Sequence, residues 1–281
     1  MSDPTAQPVE SIPKARPWIL FSGGVLICVI TIISVRHAAL SGQQMPSEVP
    51  LSLTAWQNFL MVMIGMLILF LIIRLIHFSG FIAALFGAAL FLGTWVYCWS
   101  LFPWDIALLI ASGLTIVQAR IRRVFVHDLF VLVGAAGIAI NFAFMFTDKS
   151  IAMIFACFLI YDMVAGRPNG PVAQMASALV HRGIVPGLIV PARVKTLFAS
   201  ISSTIHQSDS VFLGAGDLIL PVTLVARAAA FGWWQPLVVM LGALIGFSIL
   251  GWRRSSKPFP ALIPLGVGVC IPYFMIVLFI H

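Results

Sequence analysis

The sequence predicts an all-α membrane protein with about nine transmembrane helices, on three observations. Hydrophobic residues fill 61% of the 281 positions and charged residues only 9%, with a mean hydropathy of +1.08. A soluble domain carries about 25% charged residues because its surface faces water. Nine acids and sixteen Lys and Arg cannot coat such a surface here. The apolar residues fall in long runs separated by short charged clusters, and the third observation is the length of those runs. Crossing about 30 Å of hydrocarbon takes about 20 helical residues, and an open chain in lipid must satisfy its own backbone.

Nine runs answer to that length: 17–35, 56–76, 78–99, 104–118, 128–147, 150–165, 210–230, 235–251 and 258–280, of which the fourth and sixth are short. Charge supplies an independent check. With the N-terminus inside, the inside segments hold Lys14 and Arg16, then Arg74, then Arg120, Arg122 and Arg123. Arg167, Arg182, Arg193 and Lys195 follow, and finally Arg253, Arg254 and Lys257. Only Arg36 and Lys149 fall outside. This is the positive-inside pattern, and an odd number of runs then places His281 outside. Arg227 stays within the seventh run and is expected to snorkel outward to an interface marked by Trp233 and Trp234.

The net charge of +7 does not indicate nucleic acid, because the basic residues sit singly or in small groups between apolar runs. Cys28, Cys98, Cys157 and Cys270 lie far apart inside apolar runs and read as small buried hydrophobes. The chain is polar up to Arg16, with no signal-type apolar core ahead of the first run. One connection is long. Residues 166–209 form a cytoplasmic loop between a six-span part, 1–165, and a three-span part, 210–281. Within it, 175–180 suits a short interfacial helix, and 184–194 reads as an extended apolar piece interrupted at Pro186 and Pro191.

A charged side chain inside a span costs about 2.5–3.5 kcal/mol on insertion scales, so intramembrane acids are functional candidates. Asp3, Glu10, Glu48, Asp148 and Asp209 are expected in loops, and Asp105 and Asp128 at span ends. Asp162 and Asp217 remain. Asp162 precedes Arg167 by five residues, about 7.5 Å along a helix, and Asp217 follows Ser210 by seven, about 10 Å. Consecutive antiparallel spans thus bring the two carboxyls to nearly one level. Neighbouring carboxyls tend to share a proton, so one can accept a proton from water while the other donates. Paired intramembrane acids also line proton or cation paths, and the acids by themselves leave both readings open.

The surroundings of the acids are unusual. Gly214, Ala215 and Gly216 permit close approach of another backbone. Pro258, Pro260 and Pro264 crowd the opening of the ninth run, where irregular backbone is tolerated only beside protein or a wet cavity.

Tyr161-Asp162, Gly214-Ala215-Gly216-Asp217 and Pro260-Ala261-Leu262 resemble the YD, GxGD and PAL motifs of the presenilin and signal peptide peptidase family, the GxGD intramembrane aspartyl proteases. They occur in order, on the sixth, seventh and ninth runs. The resemblance covers residue 150 to the C-terminus by motif and the remainder by span count. The N-inside orientation is similar to presenilin, whereas signal peptide peptidases run the other way. The resemblance implies a presenilin-like fold that hydrolyses peptide bonds within transmembrane segments of membrane proteins. It implies Asp162 and Asp217 as the catalytic pair, with Tyr161 beside them. Gly214, Gly216, Pro260, Ala261 and Leu262 would shape the active site and the substrate's seat. Neither cofactor nor metal is implied. The chain lacks the large hydrophilic loop and acidic insertions of eukaryotic presenilins. It resembles instead a compact prokaryotic homologue in the plasma membrane, acting on transmembrane-helix substrates in the bilayer without accessory subunits. The extended piece 186–191 is similar to an element after span six in prokaryotic relatives.

Other readings compete. No HExxH occurs, and the six histidines are scattered, against a zinc site. No Gly-x-Ser-Gly with a partner histidine points to a serine protease, and prepilin peptidases share the GxGD aspartate without a PAL-type segment. A proton-coupled transporter would use the same two aspartates. It would also show matching broken helices in two halves, whereas only the ninth run is strongly interrupted. A non-catalytic scaffold leaves two costly aspartates without a role.

Overall fold

A computed structural model describes residues 17–41, 54–75, 79–165, 179, 183–191, 194–205, 210–252 and 261–280. Its first part is helical: α1 (Pro17–Ser41), α2 (Ala55–Leu75), α3 (Ser79–Trp99), α4 (Trp104–Arg120), α5 (Val124–Met145) and α6 (Asp148–Ala165). A connecting region follows, with strand β1 (Gly187–Pro191), a 3-10 turn (Val194–Phe198), the short α7 (Ile201–Ile205) and strand β2 (Ser210–Gly214). The chain ends in α8 (Ala215–Phe231), α9 (Gln235–Trp252) and α10 (Leu262–Ile280). By length and composition, α1, α3, α5, α9 and α10 can each cross a membrane, so the chain is a multi-pass integral membrane protein. Leu109, Leu278 and Phe279 expose most of their surface, as side chains facing acyl chains do.

Small residues determine how closely the helices approach. α5 runs through the centre with Gly134, Ala135, Ala136, Gly137, Ala139 and Ala143 all buried. A Cβ at Gly137 would collide with the Gly93 carbonyl of α3. Gly242 of α9 and Gly268 of α10 are similarly related, each facing the other's carbonyl. In lipid no hydrophobic force drives helices together, and close backbone contact supplies dispersion instead. α8 lies against α1, α5, α9 and α10, burying Val222, Leu224, Val225, Ala226, Ala228 and Ala229.

Several boundaries differ from the sequence expectation. The seventh run does not begin as a helix. Ser210–Gly214 is strand β2, rich in residues that suit a pleated backbone, and it pairs antiparallel with β1 from Gly187↔Gly214 to Pro191↔Ser210. The extended piece expected at 184–194 therefore becomes one half of a hairpin-like ribbon. α5 begins at Val124, a turn earlier than expected, and α6 begins at Asp148, which is a first-turn acid and not a loop residue. The interfacial helix expected over 175–180 lies outside the described residues except for Leu179.

α5 anchors this ribbon from one side. His127 Nε2 donates to the Gly187 carbonyl at 3.1 Å, and the Ile189 N–H donates to Asp128 Oδ1 at 2.9 Å. Both groups lie on the edge of β1 that turns away from β2, because Pro186, one residue before Gly187, accepts from the Ala215 N–H on the β2 side at 3.1 Å.

Candidate active site

The site begins with the way α8 starts. Gly214 is its N-cap, and Asp217 falls three residues later. From that position a carboxylate reaches back to the cap N–H, as in one half of a capping box, and the Gly214 N–H is a backbone donor to Asp217. A Cβ at 214 would stand 3.2 Å from Asp217 Oδ2, whereas one at 216 would meet open space. The two glycines thus differ: the first makes room for the carboxyl, the second leaves the helix start uncovered. Pro221 lies inside α8, and its missing N–H withholds the helical partner of the Asp217 carbonyl four residues earlier.

Asp162 sits near the end of α6. Its Oδ2 accepts from the Leu262 N–H at 3.0 Å. Leu262 is the first residue of α10, where a helical N–H has no partner within its own helix. Asp162 therefore caps α10 from a different helix. Pro264 is accommodated because the third helical position also needs no internal donor. Pro264 in the first turn thus leaves the helix regular from Leu262, while Pro258 and Pro260 lie outside the described residues.

The two carboxyls lie close enough that the charge of Asp162 acts on Asp217, and both are half-buried. Tyr161 is 43% exposed and is flanked by Ile160 and Met163, more exposed still. At about 100° per helical residue these three occupy the face of α6 away from the Asp162 side chain, so the outer face of α6 is open and apolar. Ala261 is half-buried and Leu262 is buried, and the contact of this segment with Asp162 is the Leu262 N–H bond. Pro260 lies outside the described residues. Among the described residues, no three His, Cys, Asp or Glu side chains cluster as metal ligands.

Arg227 does not snorkel. Its Nε donates to Asp148 Oδ1 at 2.9 Å, its Nη1 donates to the Ala143 carbonyl at 3.2 Å, and the Tyr273 hydroxyl donates to the same Asp148 oxygen at 2.6 Å. A protein partner at the same end of the bundle satisfies the guanidinium more cheaply than a stretch to water. Sequence reasoning missed this cluster and the His127–Asp128 anchor. An arginine inside an apolar run was the available signal for the first, and adjacent His and Asp at a helix start for the second.

No protein-family model and no curated protein matches the chain. Solved structures do, among them two that are each described as a presenilin family intramembrane aspartate protease, in the C222 and P2 space groups. The first aligns over 92% of this chain and 94% of that one, with a TM-score of 0.55. The second aligns over 95% and 96%, with a TM-score of 0.57. They share one fold. Sequence identity is 19% in both alignments, so the likeness is one of architecture. The presenilin-like fold expected from the motifs is thereby met along nearly the whole chain.

Proposed function

We propose that this protein is an intramembrane aspartyl endopeptidase, with Asp162 and Asp217 as a catalytic pair that hydrolyses peptide bonds inside transmembrane segments. The observation that carries the reading is the junction itself. Asp162 at the end of α6 holds the first N–H of α10 at 3.0 Å, and its charge acts on Asp217 at the start of α8. The proximity of Asp162, Asp217 and Leu262, which belong to the YD, GxGD and PAL motifs and are distant in sequence, supports the reading.

The chemistry follows from two carboxyls sharing one proton. The ionised member takes a proton from water as that water attacks the scissile carbonyl. The protonated member donates to the carbonyl oxygen, and a proton then passes to the leaving amide nitrogen. A helical substrate must first unwind, since its amides are sequestered by their own hydrogen bonds. β2 offers a place for the unwound stretch. The outer edge of β1 is taken by His127 and Asp128, while Val211, Phe212 and Gly214 of β2 are exposed. A strand added along β2 would run past Gly214, three residues from Asp217. Leu262 and Ala261, with Pro260, would seat the segment on the α10 side.

The six-span part supplies Asp162 and the three-span part Asp217, joined through the loop 166–209. The compact chain works with its N-terminus cytoplasmic, in the plasma membrane of a prokaryote and without accessory subunits. The test is purified protein in liposomes with a panel of single-span peptides, read by mass spectrometry, with a pH-sensitive dye inside the same vesicles. Internally cut peptides support the proposal. Uncut peptides with proton flux that depends on both aspartates would make the protein a transporter.

A further inference from the structure

We infer that Asp148, Arg227 and Tyr273 form a tether at the far end of the bundle that sets the depth and facing of the three helices bearing Asp162, Asp217 and Leu262. They are positioning residues for the dyad, and the inference rests on the proteolytic reading for its activity readout. The argument starts from spacing. Asp148 precedes Asp162 by fourteen residues on α6, Arg227 follows Asp217 by ten on α8, and Tyr273 follows Leu262 by eleven on α10. At 1.5 Å per residue these are about 21, 15 and 16 Å. The same three helices that meet at the candidate site therefore meet a second time, one bundle length away.

The second junction turns on a single atom. Asp148 Oδ1 accepts from Arg227 Nε at 2.9 Å and from the Tyr273 hydroxyl at 2.6 Å. Arg227 also reaches the Ala143 carbonyl of α5, and its guanidinium lies 6.0 Å from the centre of the Phe231 ring. Tyr273 has no exposed surface. Away from this junction, α6 packs mainly on α2 and α10, and α8 on α1, α5, α9 and α10, so the ion pair is a direct bridge from α6 to α8. Apolar packing alone specifies helix rotation weakly, because one apolar face resembles another. A slip of one residue turns a helix by about 100° and moves it by 1.5 Å. Such a slip on any of the three helices breaks at least one of these two bonds to Asp148. The tether thus selects the one register in which the two carboxyls and the Leu262 N–H converge. Misplacement by about 1 Å at a reacting centre can cost about a hundredfold in rate.

The experiment compares wild type with Asp148→Asn, Arg227→Gln and Tyr273→Phe in liposomes, using a peptide that wild type cuts. The expected result is a fall in kcat of at least tenfold with KM within twofold of wild type, at unchanged helicity and elution. Asp148→Asn combined with Tyr273→Phe should be no worse than Asp148→Asn alone, since the groups act as a unit. Wild-type kcat in all three variants, or a loss confined to KM, overturns the inference. A second readout needs no activity. Spin labels introduced through Asp162→Cys and Asp217→Cys, with the four native cysteines replaced by Ala, report the separation of the two sites. The tether predicts a broader distance distribution once Tyr273→Phe or Arg227→Gln is added. An unchanged narrow distribution overturns it, even if wild type cuts no peptide and the proteolytic reading alone has failed.

Discussion

Replacing Asp162 in two different ways separates its structural bond from its chemistry. The carboxylate accepts the Leu262 N–H at 3.0 Å, and Leu262 is only 3% exposed, so water cannot take over when the acceptor is lost. Asp162→Ala leaves a buried donor without a partner, a loss of about 1–3 kcal/mol. Asp162→Asn keeps an oxygen in place and exchanges a charge-assisted bond for a neutral one, a loss of about 1 kcal/mol. Both substitutions also remove a charge from the membrane domain, and that benefit cancels when the two are compared. The difference between them therefore isolates the bond across α6 and α10, up to about 2 kcal/mol, or as much as roughly thirtyfold in the unfolding equilibrium. Equilibrium unfolding in mixed micelles measures it, with Asn expected to be the more stable variant. Equal stability of the two variants would show that Asp162 does not cap α10.

Other expectations follow from contacts elsewhere. Gly214→Ala places a Cβ 3.2 Å from Asp217 Oδ2 and should lower kcat about tenfold or more with the fold intact. Gly216→Ala meets open space and should leave turnover within about threefold while stabilising α8 by about 0.5–1 kcal/mol; peptide cleavage and thermal unfolding check the pair. Asp128→Ala strands the buried Ile189 N–H, so hydrogen exchange at Ile189 should quicken at least tenfold, and Asp128→Asn should largely restore protection. Gly137→Val drives a side chain into the Gly93 carbonyl and should destabilise the α3–α5 contact by about 1–3 kcal/mol, read as a lower unfolding midpoint.

The parts of this molecule that one-dimensional pattern makes legible are those where lipid imposes the pattern. Apolar length marked the long helices among the described residues, with ends displaced by up to six positions, since a backbone in hydrocarbon has few alternatives. Legibility failed where apolar residues serve another purpose. Val211, Phe212 and Leu213 look like the first turn of a span, yet they form a strand because β1 lies opposite to pair with them. Nothing local encodes that partner. Asp162 and Asp217 stood out because an acid within an apolar run is costly. The bond from Leu262 to Asp162 did not, since a backbone N–H carries no sequence signature. Arg227 was visible as an anomaly, but its partner Asp148 lies 79 positions away and reads locally as an ordinary loop acid. Asp128 was recognised as a span-end residue, while its bond to Ile189 depends on where the ribbon folds back.

The most direct measurement is cleavage of a single-span peptide in liposomes by wild type, Asp162→Asn and Asp217→Asn, each shown to retain its helicity and elution. The account predicts internal products from wild type and a loss of turnover of at least a thousandfold in both variants, since neither remaining carboxyl can act as acid and base alone. Substantial cleavage by either folded variant would mean that the two aspartates are not a catalytic pair.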